Sequence, residues 1–242
     1  MSFESRILCV FEGESREPKF FNSLKRVFFE DSDIYFCCYG NDIYELFEKI
    51  SDDDDLNIFD LIRENNTVLS NVKLFEKYTV DDFSQVFLFF DFECNDEKFN
   101  AEKLKRMLEK FSDETLHGKL FISYPMIESI RDIPENIAFY QHKVSVEHCV
   151  GKCYKPLSVH KNAYQDPRKI TPKLWKDLVS LSVEKANFMI YSELGNYSLV
   201  EQTDIFNSQI NLMNDSKQIY VLCAFPMFVH HQKGESLKLY SI

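Results

Sequence analysis

The sequence predicts an α/β fold, a mostly parallel sheet flanked by helices, with a helical C-terminal part. Three observations carry this. Short unbroken apolar runs alternate with amphipathic stretches through the first 130 residues, the pattern of parallel strands buried between helices. No comparable strand pattern appears after residue 125. The 242 residues are 45% apolar and 15% aromatic, which supplies a real core and excludes disorder as the main state.

Residues 6–11 (RILCVF) form an apolar run closed by Glu12-Gly13, which reads as a buried strand and a turn. Residues 17–29 follow as a helix: Pro18 suits the first turn, and Phe20, Phe21, Leu24, Val27 and Phe28 recur at helical spacing. Residues 34–38 (IYFCC) read as a second strand. Residues 43–50 read as a helix behind Gly40-Asn41-Asp42. The acidic run 51–55 (SDDDD) lacks the glycine and ligand spacing of a calcium loop and reads as a solvated helix start. Residues 56–78 look helical but less regular. Residues 86–90 (VFLFF), ending at Asp91, are the strongest buried strand; 101–111 form an amphipathic helix, and 120–123 (LFIS) a further strand.

Beyond residue 125 the segments 125–150, 172–190, 200–213 and 217–231 read as helices, with 219–225 (IYVLCAF) open to a strand reading. The expected organisation is an α/β domain over residues 1–131 and a mainly helical region over 132–242 packed on it, since no Gly/Ser/Pro linker separates them. Trp175 shares helical spacing with Leu174, Leu178 and Leu181 and reads as core.

Several function classes are excluded. The six glycines never fall in G-x-G-x-x-G or G-x-x-x-x-G-K spacing, so neither a standard dinucleotide fingerprint nor a Walker A loop is present. No apolar run reaches the length of a spanning helix, and MSFESRILCVFEGES lacks the basic start of a signal peptide, so a cytoplasmic protein with no membrane partner is expected. Seven cysteines, an odd number and several within apolar runs, read as reduced, mostly buried thiols. Cys149 and Cys153, with His142, His148 and His160 near in sequence, lack the second cysteine pair of a usual zinc framework; packed thiols and surface histidines are the preferred reading. His230-His231 also read as surface residues.

The net charge of −11 is uneven: residues 143–185 carry nine Lys/Arg against four acids, whereas residues 1–142 hold a net −14. A nucleic-acid contact would fall in 143–185, with Lys161, Arg168, Lys169 and Lys173 as phosphate donors. Lysines that merely solvate helix faces explain the same run equally well.

The chemistry-bearing candidates are acids at strand ends. Glu12 closes the first strand; Asp91 and Glu93 close the third. Ligand sites of open α/β sheets lie at the carboxyl ends of the strands. An all-oxygen acid set suits Mg²⁺ or Mn²⁺. Residues i and i+2 of a strand face the same way, so Asp91 and Glu93 could reach one metal. From spacing alone, the plainer reading stands ahead: acids end strands and start helices, as in Glu14-Ser15 and Asp96-Glu97.

ILCVFEGESREPKFFNSL resembles the opening of a TOPRIM (topoisomerase–primase) domain, and VFLFFDFE resembles that family's second motif, an apolar strand ending in an Asp-x-Asp pair. LFISYPMIES is similar to the Asn-Pro-x-Phe-Glu stretch of small stand-alone bacterial TOPRIM proteins of the RloB-like kind, related to the nuclease half of OLD-family proteins. The resemblance covers about residues 5–131. It implies a metal-dependent nuclease acting on DNA or RNA phosphodiesters, in a setting of phage defence, with Mg²⁺ or Mn²⁺ as cofactor. Glu12 would be the general acid/base or a metal ligand, Asp91 and Glu93 catalytic metal ligands, and Glu128 a fourth acid. Glu93 stands where the family commonly has Asp, and Asp91 lacks the glycine that follows it in topoisomerases; both departures speak against strand passage and primer synthesis. The expected partners are a nucleic-acid substrate (DNA before RNA), a separate ATPase or sensor protein, and a second copy of the chain. The alternatives are a TOPRIM-like module without catalysis that binds a partner or senses a signal, and a phospho-acceptor receiver, which Tyr124-Pro125 disfavours because a lysine is expected there.

Overall fold

The computed structural model describes residues 6–52, 58–64, 68–135 and 137–239. Most of the acidic run 51–55 and the first five residues of the N-terminal segment therefore lie outside the described residues; Ser51 and Asp52 end a helix.

The α/β expectation holds. Strands β1 (Ile7–Phe11), β2 (Ile34–Cys38), β3 (Gln85–Asp91), β4 (Ser112–Asp113) and β5 (Gly118–Ser123) make a mostly parallel sheet in the order β2-β1-β3-β5-β4. β1 pairs in parallel with both β2 and β3, placing Phe11 opposite Cys38 on one side and Phe89 on the other. The short β4 runs antiparallel to β5. Helices α1 (Arg16–Phe28), α2 (Ile43–Asp52), α3 (Ile58–Glu64), α4 (Leu69–Phe75) and α5 (Ala101–Lys110) supply the connections. Every residue of β1 is buried, as its continuous apolar run requires of a strand covered on both faces.

By contact the chain divides into two compact units, residues 1–90 with 100–120, and residues 91–99 with 121–242. In the first, Phe21 of α1 packs on Phe11 and Phe89 at ring separations of 5.2 and 6.0 Å. Phe90 points to the other face and meets Tyr39 at 5.9 Å. Gly118 opens β5 with φ +107°, and a Cβ there would lie 2.6 Å from Leu88 Cδ1. Gly118→Ala combines backbone strain with that overlap and should cost about 1–3 kcal/mol, read as a lower urea midpoint at unchanged slope.

The second unit contains helices α6 (Gly151–Leu157), α7 (Pro172–Tyr191), α8 (Gln202–Ser216) and α9 (Ala224–Lys233), and a two-stranded antiparallel sheet of β6 (Lys143–Ser145) with β7 (Gln218–Tyr220). α7 starts as its sequence demands: the Thr171 side chain accepts from Leu174 N at 3.3 Å, and Pro172 occupies the first turn. It buries Trp175, Leu178, Val179, Val183 and Ala186. Among the described residues, no helix is long and apolar enough to cross a membrane.

Three expectations are corrected. Residues 125–150 are not a helix but short 3-10 turns and β6. The apolar positions there follow no sustained 3.6-residue period: the turns close on local bonds such as Ser129 N to Met126 O, and β6 pairs with distant β7. The stretch 217–231 splits into β7 and α9. His230 is 4% exposed, not a surface residue, because α9 is apolar on nearly all sides.

Candidate functional site

Glu12 leaves β1 half-buried, its N–H donating to Phe89 O at 3.1 Å and its carbonyl accepting from Gly40 N at 3.0 Å. The adjoining turn is closed by a residue the sequence reading passed over. Glu17, buried in the first turn of α1, accepts from Gly13 N at 3.1 Å, while the Cys38 thiol donates to Gly13 O at 3.2 Å. Burial first, then the charges of Glu14 and Glu17, push that thiol up to about 12.

In the second unit, Asp91 is the last residue of β3, and its Oδ1 accepts from Ile127 N at 2.8 Å. Phe92 N and Glu93 N both donate to Pro125 O, at 3.1 and 3.4 Å. The chain leaving β3 is thus strapped to the 3-10 turn 127–131, which carries Glu128. Glu128 is 2% exposed, with Lys155 Nζ 3.8 Å from its Oε1.

The strand argument for Asp91 and Glu93 is corrected here. β3 ends at Asp91, and Glu93 adopts φ +41°. Two-residue alternation therefore does not extend to Glu93; the left-handed turn re-aims its side chain. Its carboxylate comes within 4.8 Å of that of Asp96 instead. Both line a cavity of about 150 Å³ with Asn95, Met126, Cys149, Val150 and Gly151. This acidic pair could hold a metal ion, and its oxygen donors fit a hard divalent cation. The sequence signal for Asp96 was the density of acids in DFECNDE; reading it only as a helix start missed it. A larger cavity of about 440 Å³ in the first unit lies at Ser84 and Val86, where β3 begins, far along the strand from the acids that end it.

The Cys149 thiol donates to Ser145 O at 3.3 Å. The neighbouring Cys149 side chain holds the Cys94 thiol below its ordinary value against burial, while Cys94 and burial together raise Cys149. His142 and His160 converge not on cysteine but on Asp132. Their Nε2 atoms lie 2.9 and 2.6 Å from Asp132 Oδ1, and Tyr154 OH donates to Oδ2 at 2.8 Å. A carboxylate only accepts, so both imidazoles present N–H there. Burial pushes the 3%-exposed Asp132 carboxyl up, but the bonds from His142, His160 and Tyr154 outweigh it and hold the carboxyl below its ordinary value. Beside it, fully buried Lys185 donates to Phe139 O at 2.8 Å and His142 O at 2.6 Å, and desolvation depresses its pKa strongly. These partners lie ten or more residues apart in sequence, so no local motif announces the cluster.

All four basic candidates are exposed. Arg168 is held in a two-pronged contact with Asp166, at 2.9 and 2.8 Å, and Lys173 pairs with Asp177 at 2.9 Å. Lys161 and Lys169 also lie at the surface. All seven cysteines are free and six are buried; Trp175 is fully buried, as core. Comparison with protein-family models, with curated proteins and with solved structures finds no match to this chain.

Proposed function

We propose that this chain is a metal-dependent nuclease that hydrolyses nucleic-acid phosphodiesters with Mg²⁺ or Mn²⁺. The observation that carries the reading is the acid pair Glu93–Asp96 lining a cavity just beyond Asp91, at the carboxyl end of β3. Such a donor set supports hard-cation binding, and the cation would polarise a phosphoryl oxygen and acidify a bound water. Glu93, Asp96 and Asp91 would hold the ion, and Glu128 would add negative charge near Asp91. Lys161 and Lys169 would meet backbone phosphates; Arg168 and Lys173 would have to give up Asp166 and Asp177 to do so. The TOPRIM resemblance makes phage defence the setting, with DNA before RNA as substrate and an ATPase, a sensor protein or a second copy of the chain as partner.

A second reading, a binding subunit without catalysis, is favoured by the use of Asp91 Oδ1 to hold Ile127 N, a structural duty. Calorimetry with Mn²⁺ and Mg²⁺, paired with cleavage assays on plasmid, single-stranded DNA and RNA, separates the two. Saturable metal binding with cleavage abolished by chelator is the expected result. Metal binding without cleavage favours the binding subunit, and lack of metal binding overturns the nuclease.

A further inference from the structure

The C-terminal end of α9 borders a cavity of about 580 Å³, whose lining includes Ser198, Leu199, His230, Glu235, Lys238 and Leu239. Two of its walls are tied in place. The chain between α7 and α8 is pinned to α7: Asn187 Nδ2 donates to Ser198 O at 3.0 Å, and Gly195 N donates to Glu184 Oε1 at 3.0 Å. The 3-10 turn Gly234–Leu237 is closed by Lys238 N donating to Glu235 O at 3.2 Å. Walls held this way form a pocket before any ligand arrives.

The polar groups on this lining have no other use. His230 is 4% exposed, yet its Nδ1 has no hydrogen-bond partner among the described residues. A buried ring nitrogen left in that state carries a desolvation cost that a bound group can offset. Burial also holds the imidazole below its ordinary value, so the ring adds no charge at neutral pH. Glu235 and Lys238 are exposed, carry opposite charges and form no ion pair among the described residues. Leu199, 52% exposed, and Leu239 supply apolar surface beside them.

We propose that this cavity binds a free aliphatic α-amino acid. Its carboxylate pairs with Lys238, its ammonium group with Glu235 and His230 Nδ1, and its side chain lies on Leu199 and Leu239. The charge pattern selects a zwitterion. A simple anion in the same place meets Glu235, and a simple amine meets Lys238, so each gains one attraction and one repulsion. The inference stands on this cavity alone and does not depend on metal binding by Glu93 and Asp96.

The test is calorimetry on the purified full chain with L-leucine at neutral pH. Saturable binding with a Kd of about 1 mM or below is expected. Isoamylamine, which lacks the carboxylate, and 4-methylpentanoate, which lacks the ammonium group, should each bind at least about tenfold more weakly. Glu235→Gln and Lys238→Ala replace exposed side chains, so melting curves without ligand should match wild type, while leucine affinity falls by about tenfold or more in each. Leucine should also shift the ring ¹⁵N resonances of one histidine among the six, assigned to His230 by their loss in His230→Gln. Lack of saturable leucine binding would overturn the proposal. So would equal binding of the amine or the acid, or unchanged leucine affinity in either surface variant.

Discussion

Asp91→Asn should abolish most metal-dependent cleavage while leaving the fold intact. Asn keeps an oxygen to accept from Ile127 N, the 2.8 Å bond that Asp91 makes, so the strap between the end of β3 and the 127–131 turn survives. The negative charge is lost, and with it the attraction for a divalent cation and for the charge that the cation stabilises in the transition state. A rate loss of about 10²-fold or more follows, with thermal stability unchanged or slightly raised as acid repulsion at the strand end falls. Cleavage by wild type and variant across a Mn²⁺ titration, with melting curves on both, reads this directly. Equal metal-dependent rates in the two proteins would remove Asp91 from the proposed machinery.

Asp132→Ala should be the most damaging single change to stability. It strips the acceptor from His142, His160 and Tyr154 in a site where Asp132 is 3% exposed. Buried donors without an acceptor carry their full desolvation cost, and Lys185 loses the nearby negative charge that favours its protonated form. A loss of about 3–5 kcal/mol is expected, or roughly 10 °C in melting temperature for a chain of this size. Asp132→Asn, which keeps Oδ1 but not the charge, should cost less. The pH dependence has a definite sign. The folded carboxyl titrates below the ordinary aspartate value of 3.8, so its contribution is fully present above that pH and fades as pH falls through the folded value. The stability gap between wild type and Asp132→Ala should therefore narrow in acid below about pH 4. Urea titrations from pH 7 down to pH 3 measure it, and a gap that stayed constant would show that ionised Asp132 contributes nothing.

The parallel core was legible because its signal is one-dimensional. ILCVF, IYFCC, VFLFF and LFI are apolar without interruption, and strands covered on both faces require that whatever packs against them. The helices α1, α5 and α7 were legible for the same reason: their buried positions repeat every three to four residues and their caps lie beside them in the chain. The strand-end acids Glu12 and Asp91 could likewise be picked out, because an ionised residue ending an apolar run stands out against its neighbours. What lies in 125–150 could not, since its short 3-10 turns carry no hydrophobic period, β6 pairs with distant β7, and Val146 N just beyond it donates to Lys217 O.

In the parallel core and in α1, α5 and α7, sequence alone thus determined which residues had to be buried and in what secondary structure, because hydrophobic period is written in adjacent positions. Only the tertiary structure decided which polar groups meet. Glu93 turns towards Asp96 through a left-handed backbone, the Cys149 thiol donates to Ser145 O, and two histidines read as surface residues close on Asp132 from 10 and 28 residues away. Hydrogen bonds act over about 3 Å in space and are indifferent to separation along the chain. A buried charge is tolerable only where folding delivers its partners.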